Sequence, residues 1–177
     1  MSTTLAIDTS TSRTIVGVVV DGEVIFEKSH EGATDHGRAV ADLVAQALAA
    51  SPNPTQVVVG MGPGPFTGLR VGIAYARTFA LARAIEVIGV CSLDAIDIDS
   101  NEYTVAIDAR RKEIYWARYK GGVRVEGPSV NKPDEVDGFI IDQYPNVAKL
   151  VQFAESHNVT EPFYLRRPDA VPTAERA

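Results

Sequence analysis

Sliding the sequence along itself by 100 positions lays Thr104, Ala106, Ile107, Asp108 and Gly122 over Thr4, Ala6, Ile7, Asp8 and Gly22. Val105 falls over Leu5 and Val125 over Ile25. The matches sit at repeated structural points: a short apolar run ending in aspartate, a polar turn, then a hairpin. In the first copy Thr3 to Asp8 reads as a buried strand and Thr9-Ser10-Thr11-Ser12 as its turn. Thr14 to Val20 and Glu23 to Ser29 read as an antiparallel pair around Asp21-Gly22, a strong two-residue hairpin sequence. A duplication of this kind implies two related halves, residues 1–100 and 101–177, that meet near Asp8 and Asp108. The second half is the thinner one, with helical spacing only at Val147, Leu150, Val151 and Ala154 before a Pro-, Ala- and charge-rich tail from Pro168.

Between the two copies lie helix, strand, helix and strand. Val40, Leu43, Val44, Ala47 and Leu48 keep helical spacing over about residues 37–50, and Ser51-Pro52-Asn53-Pro54 stops that helix before a strand from Gln56 to Met61. The eleven residues Gly60 to Arg70 follow, with Gly60, Gly62, Gly64, Gly68, Pro63 and Pro65 forbidding regular structure. A glycine-rich strand-to-helix loop invites a phosphate reading, but this one has neither the lysine of a P-loop nor the glycine spacing of a dinucleotide fingerprint. Its prolines also remove two N–H donors. A rigid packing or docking turn is the better reading, with Gly62, Gly64, Phe66 and Thr67 as its structural residues and Thr67 as N-cap of a helix over about 69–83. Along that helix Gly68, Gly72, Ala76, Ala80 and Ala84 recur every fourth residue, a shallow groove that admits another backbone closely. It either packs on the protein's own sheet or seats a second helix. The whole series gives an α/β architecture, a mixed sheet covered by helices.

The composition removes several classes. A net charge of −6 is the wrong sign for neutralising a nucleic-acid backbone unaided, so a nucleic-acid process would be reached through a more basic partner. The apolar runs are far shorter than a membrane span and the N-terminal Met1-Ser2-Thr3-Thr4 lacks the features of a signal peptide, so the expected location is cytoplasmic. Cys91 is the single cysteine; following Val87-Ile88-Gly89-Val90, it reads as a small buried hydrophobe.

The doubled unit resembles the actin-like ATPase superfamily, in which duplicated ribonuclease-H-like halves hold a nucleotide in their cleft. More specifically, Ala6-Ile7-Asp8-Thr9-Ser10-Thr11, Gly62 to Arg70, Ser92-Leu93, Asp108-Ala109-Arg110 with Ile114-Tyr115, and Tyr164-Leu165-Arg166 resemble, in order, the signatures of the TsaB (YeaZ) family. Two features depart from it: Pro65 stands where a serine is usual, and the second half is short. The resemblance implies a non-catalytic accessory subunit for making N6-threonylcarbamoyladenosine at position 37 of tRNAs that read ANN codons. It implies pairing with TsaD, which carries the metal and the transfer chemistry, with TsaE joining the pair. The pairing would use the first two helices, and His36, Val40, Leu43, Val44, Gly68, Leu69, Arg70, Gly72, Ala76 and Ala80 are the expected interface residues. The same face could support a homodimer, and tRNA would be reached only indirectly. No cofactor is expected.

Other residues offer further chemistry. Asp8 and Asp108 could hold magnesium through water, or each could cap its own turn by accepting backbone N–H bonds, which makes them a vestigial cleft. His30, His36 and His157 are too scattered for a metal site, and His36, just before the first helix, is the one expected at a subunit contact. No Gly-x-Ser-x-Gly elbow presents a nucleophile. Arg110-Arg111-Lys112 and Arg166-Arg167 read as solvated basic runs, or as modest contributions to a tRNA path. Tyr115 and Trp116 alternate in a strand, so one is expected in the core and the other facing outward or toward a neighbour. The rival functions are a stand-alone actin-like ATPase or small-molecule kinase and, behind it, a metalloprotease.

Overall fold

The structure is a computed structural model describing residues 2–166. Met1, Arg167 and the tail from Pro168 lie outside the described residues. The first half contains β1 (Thr3–Asp8), β2 (Arg13–Val20), β3 (Glu23–Glu31), α1 (His36–Ala50), β4 (Gln56–Gly60), α2 (Phe66–Arg83) and β5 (Glu86–Val90). A short 3-10 turn (Ser92–Ala95) leads into β6 (Glu102–Asp108), β7 (Ile114–Lys120) and β8 (Val123–Asn131). A second such turn (Pro133–Glu135), β9 (Phe139–Ile140) and α3 (Val147–Ala154) complete the series.

The strands form two sheets, in the orders β3-β2-β1-β4-β5 and β8-β7-β6-β9. In each, the strand that ends in aspartate pairs antiparallel with the next strand, Asp8 opposite Ile15 and Asp108 opposite Ile114. Each also pairs in parallel with a later strand, β1 with β4 and β6 with β9. The mixed α/β architecture of two ribonuclease-H-like halves, the second reduced, is therefore present.

β1 is buried along its whole length because both faces of its sheet are covered. Leu5, Ile7, Val16, Val18, Val57 and Val59 point to the side of α1 and α2, where they meet Val40, Leu43, Val44, Leu69, Ile73 and Ala76. Their alternates Ala6, Ile15, Val19 and Val58 pack with Val147 and Leu150 of α3. The helix of the second half thus covers the first sheet, an exchange across the boundary at residue 100 that the repeat did not foretell. The second sheet is likewise covered on both sides: Tyr115 packs with Cys91, Leu93 and Ile107, while Trp116 packs with Ala106 and Val136. The alternation puts the pair in different clusters, and the outward alternative is corrected, since Tyr115 is 4% and Trp116 7% exposed.

After α3 the chain runs back as an extended strap. Val159 N–H donates to Gly89 O at 2.8 Å and Phe163 N–H to Met61 O at 2.9 Å. Arg77 Nη2 donates to Thr160 O at 3.1 Å, and the Arg70 guanidinium lies on the rings of Phe66 and Tyr164.

Candidate functional site

The glycine-rich loop and the small-residue row of α2 turn out to be one seat, and its occupant is the turn after β1. A Cβ at Gly60 would strike the Asp8 carboxylate, at Gly64 the Ser10 backbone, and at Gly72 the Thr9 side chain. Thr9 Oγ1 donates to Gly68 O at 2.8 Å and accepts from Gly72 N–H at 3.1 Å, so it is bonded into the first turns of α2. Gly68, Leu69, Gly72, Ala76 and Ala80 are buried within the chain. Their position against the chain's own sheet and turn corrects the idea of an open groove along this row. Val40, Leu43 and Val44 are also core residues of α1.

His36 is the first residue of α1, 4% exposed, with Nδ1 2.8 Å from Thr14 Oγ1 and its ring against Gly68. Burial holds its basicity below the usual histidine range, only partly offset by the nearby Asp8 charge. It joins the starts of the two helices from inside, and its ring is not presented to a neighbour. Thr67 is exposed and makes no cap; α2 starts at Phe66 with Pro65 before it, an arrangement in which fixed φ replaces a capping side chain. Among the predicted interface residues, Arg70 is the exposed one.

The two aspartates share a local geometry and differ in surroundings. Asp8 Oδ1 accepts from Ser10 N–H at 2.9 Å, and Asp108 Oδ1 from Arg110 N–H at 2.8 Å, the same turn-closing bond in both halves. Asp8 is fully buried and also accepts from Ser10 Oγ and Ser92 Oγ, at 2.7 and 2.6 Å. Burial pushes its carboxyl above the ordinary value, against the pull of these donors. Ser92 Oγ in turn accepts from Gly62 N–H at 3.1 Å, which ties the central loop to the carboxylate. Asp108 is exposed and lies 3.5 Å from Arg110 Nη1. Among the described residues, no group of three or more His, Cys, Asp or Glu side chains could hold a metal ion. Cys91 is 1% exposed, and burial raises its thiol to about 12, which makes it inert as a nucleophile at neutral pH.

Of the concave features among the described residues, three adjoin the predicted site residues. A cavity of about 250 Å³ lies between the halves, lined by Thr11, Ser12, Pro65, Ile107, Asp108 and Tyr144 among others. Beside it, a notch of about 200 Å³ lies between the central loop, the turn at Arg110 and the strap at Tyr164. The third is an apolar groove of about 580 Å³ between α1 and α2, lined by Gly37, Val40, Val71, Ala74, Tyr75, Thr78, Phe79 and Ala82. Sequence reasoning missed the α2 side of this groove, although the sequence carries it. Positions 71, 74, 75, 78, 79 and 82 follow helical spacing and form a second stripe beside the buried row. A helix with apolar residues on both stripes covers its own core with one and presents the other.

Residues 27–171 match the family model described as TsaD: tRNA N6-adenosine threonylcarbamoyltransferase. An uncharacterized protein of Mycobacterium leprae is 40% identical over 97% of this chain, and the match takes in 57% of that protein. The Escherichia coli tRNA threonylcarbamoyladenosine biosynthesis protein TsaB is 34% identical over 66% of this chain and 54% of its own length. The chain therefore spans little more than half of either relative. A solved Pseudomonas aeruginosa structure, described as an uncharacterized protein with similarity to peptidase YEAZ, superposes with a TM-score of 0.80 at 22% identity. It covers 94% of this chain and 100% of its own, a likeness of fold. The signatures, the doubled strand-and-aspartate unit and these matches place the chain in the family of that model, among its TsaB (YeaZ) members, with the fold of that Pseudomonas structure.

Proposed function

We propose that this chain is a non-catalytic subunit in the biosynthesis of N6-threonylcarbamoyladenosine at position 37 of tRNAs reading ANN codons. It binds TsaD, supports its active conformation and helps form the site where TsaE joins, with tRNA held mainly by the partner. A cytoplasmic location belongs to this reading; among the described residues no helix is long and apolar enough to cross a membrane. The observation that carries it is the α1–α2 groove, where Val71, Tyr75 and Phe79 are only half-buried and Ala74, Thr78 and Ala82 are exposed. Small residues between aromatic ones let a partner helix approach closely and leave aromatic area to cover, the usual chemistry of an interface centre. The same face would serve a two-fold homodimer when the partner is absent. The enclosed carboxylate of Asp8, satisfied by two serines, also suits a structural role better than ATP chemistry.

The test is Ala74→Glu combined with Thr78→Glu, both at exposed positions. Co-purification with TsaD should be lost while the unfolding midpoint in urea stays within experimental scatter. Undiminished pairing would remove the groove from the interface. Tight ATP binding and turnover by the chain alone would favour the kinase-like alternative instead.

A further inference from the structure

The turn between β6 and β7 has a backbone its sequence does not favour. Arg110, Arg111 and Lys112 lie at φ 63°, 56° and 61°, three successive side-chain-bearing residues in the left-handed region. Elsewhere the hairpin loops use Asp21-Gly22 and Gly121-Gly122 for such angles, residues that adopt them more easily. The equivalent turn of the first half, Thr9 to Ser12, is neutral. Strained conformations persist where the surroundings enforce them and cluster at functional positions. Here the enforcement is visible: Asp108 Oδ1 accepts from Arg110 N–H, Glu113 N–H donates to Arg110 O at 3.1 Å, and Ala109 N–H to Glu113 O at 2.9 Å. From the strap, Arg166 Nη1 donates to Ala109 O at 2.8 Å while its guanidinium pairs with Glu113.

The result is a cationic rim on an acidic protein. Arg110, Arg111 and Arg166 line the 200 Å³ notch, Lys112 stands on the same turn, and Arg70 lies across Phe66 and Tyr164 at its other side. Asp108 lies against Arg110 and Glu113 against Arg166. Phe66 and Tyr164 line the notch as well, with ring centroids 5.0 Å apart and Tyr164 40% exposed. Cations beside an aromatic face form the combination that holds a nucleic-acid strand through phosphate attraction and base stacking. The notch is too small for a nucleoside triphosphate, and Pro63 and Pro65 withhold N–H donors from a phosphate chain. An unstacked single strand can place one base there, whereas a duplex keeps its bases out of reach.

The geometry points to a contact site for one nucleotide of single-stranded RNA, its phosphate on Arg110 to Lys112 and its base against Tyr164. The choice of RNA rests on the tRNA role proposed above; the site itself rests on the rim and the notch. Binding by the isolated chain is weak, on the order of the 10⁻⁴ to 10⁻⁶ M typical of sequence-independent contacts.

The test is fluorescence anisotropy of a labelled 12-nucleotide single-stranded RNA against salt. Removing three cations by R110Q, R111Q and K112Q together should weaken binding at least tenfold at low salt. It should also shrink the slope of log K against log salt by about 0.7, the counterion release of one single-strand phosphate. Tyr164→Ala should weaken binding about fivefold or more and leave the slope unchanged, a second readout if the triple variant folds poorly. Unaltered affinity and slope in both variants would overturn the site. Competition by inorganic phosphate or AMP as strong as by RNA at equal nucleotide concentration would overturn the RNA assignment, as would stronger competition by polyglutamate. The turn variants should keep TsaD pairing and the Ala74/Thr78 variants RNA binding, so either reading can fail without the other.

Discussion

Ser92 bonds to two places that the chain must hold together, the buried Asp8 carboxylate and the Gly62 N–H of the central loop. Ser92→Ala leaves both short of a partner in a site without solvent. Unfolding free energy from urea titration should fall by about 1–3 kcal/mol, the usual cost of stranding buried polar groups. His36 gives a pH dependence whose sign follows from its burial. Its folded-state pKa lies below the ordinary 6.5, so just under that pH the unfolded chain takes up a proton that the folded chain refuses. Stability should therefore fall as pH drops through this range, and His36→Gln should flatten the urea midpoint there. Asp8 acts oppositely: its raised pKa lets the folded state keep a proton that the unfolded state releases above 3.8, so that contribution is lost as pH rises from there. A His36→Gln profile that falls as steeply as the wild type between pH 7 and 5 would contradict the histidine assignment. At this scale the sequence singled out Asp8, His36, Gly68 and Gly72 but not their contacts: the last three were expected at a partner interface, and the structure buries them within the chain. Spacing along a chain cannot show that residues 9 and 72 touch.

α2 carries two stripes, and choosing between them is an element-scale question. The small-residue row was the more conspicuous in the sequence, yet small residues are equally what a turn of the same chain needs to approach a helix backbone. Thr9 and His36 fill that space, which leaves the aromatic stripe at Val71, Tyr75 and Phe79 for the outside. A bulky residue at Gly72 would meet Thr9 and unfold the protein, so it reports on folding and not on pairing. The strap is the other element set by close approach. At Gly89 a Cβ would strike Val159 O and the Met61 side chain. Gly89→Ala should raise amide exchange at Val159 and Phe163 by tenfold or more, with amides in β1 and β4 still protected. Equal protection in the variant would show that the strap is held from elsewhere.

The whole molecule has two sheets and a duplicated plan, but its packing does not divide at the repeat. α3 covers the first sheet, the strap runs from Gly89 past Met61 to Arg166 on the second half, and Tyr119 OH donates to Asp94 Oδ1 at 2.7 Å between β7 and the turn after β5. The chain should accordingly unfold as a single unit. Trp116, the only tryptophan, reports on the second sheet, so its fluorescence transition in urea should coincide with the far-UV circular dichroism transition. An earlier fluorescence midpoint would show that the halves are independent. Hydrophobic period, turn residues and the shift of 100 positions determined the strands, the helices and the two-fold plan, because those depend on residues close in the chain. Only the tertiary structure decided which stripe of α2 is covered, which half α3 protects, and how Arg166 holds a cationic turn in the left-handed region. Each of those outcomes depends on residues 30 or more positions apart competing for one surface, which local spacing does not record.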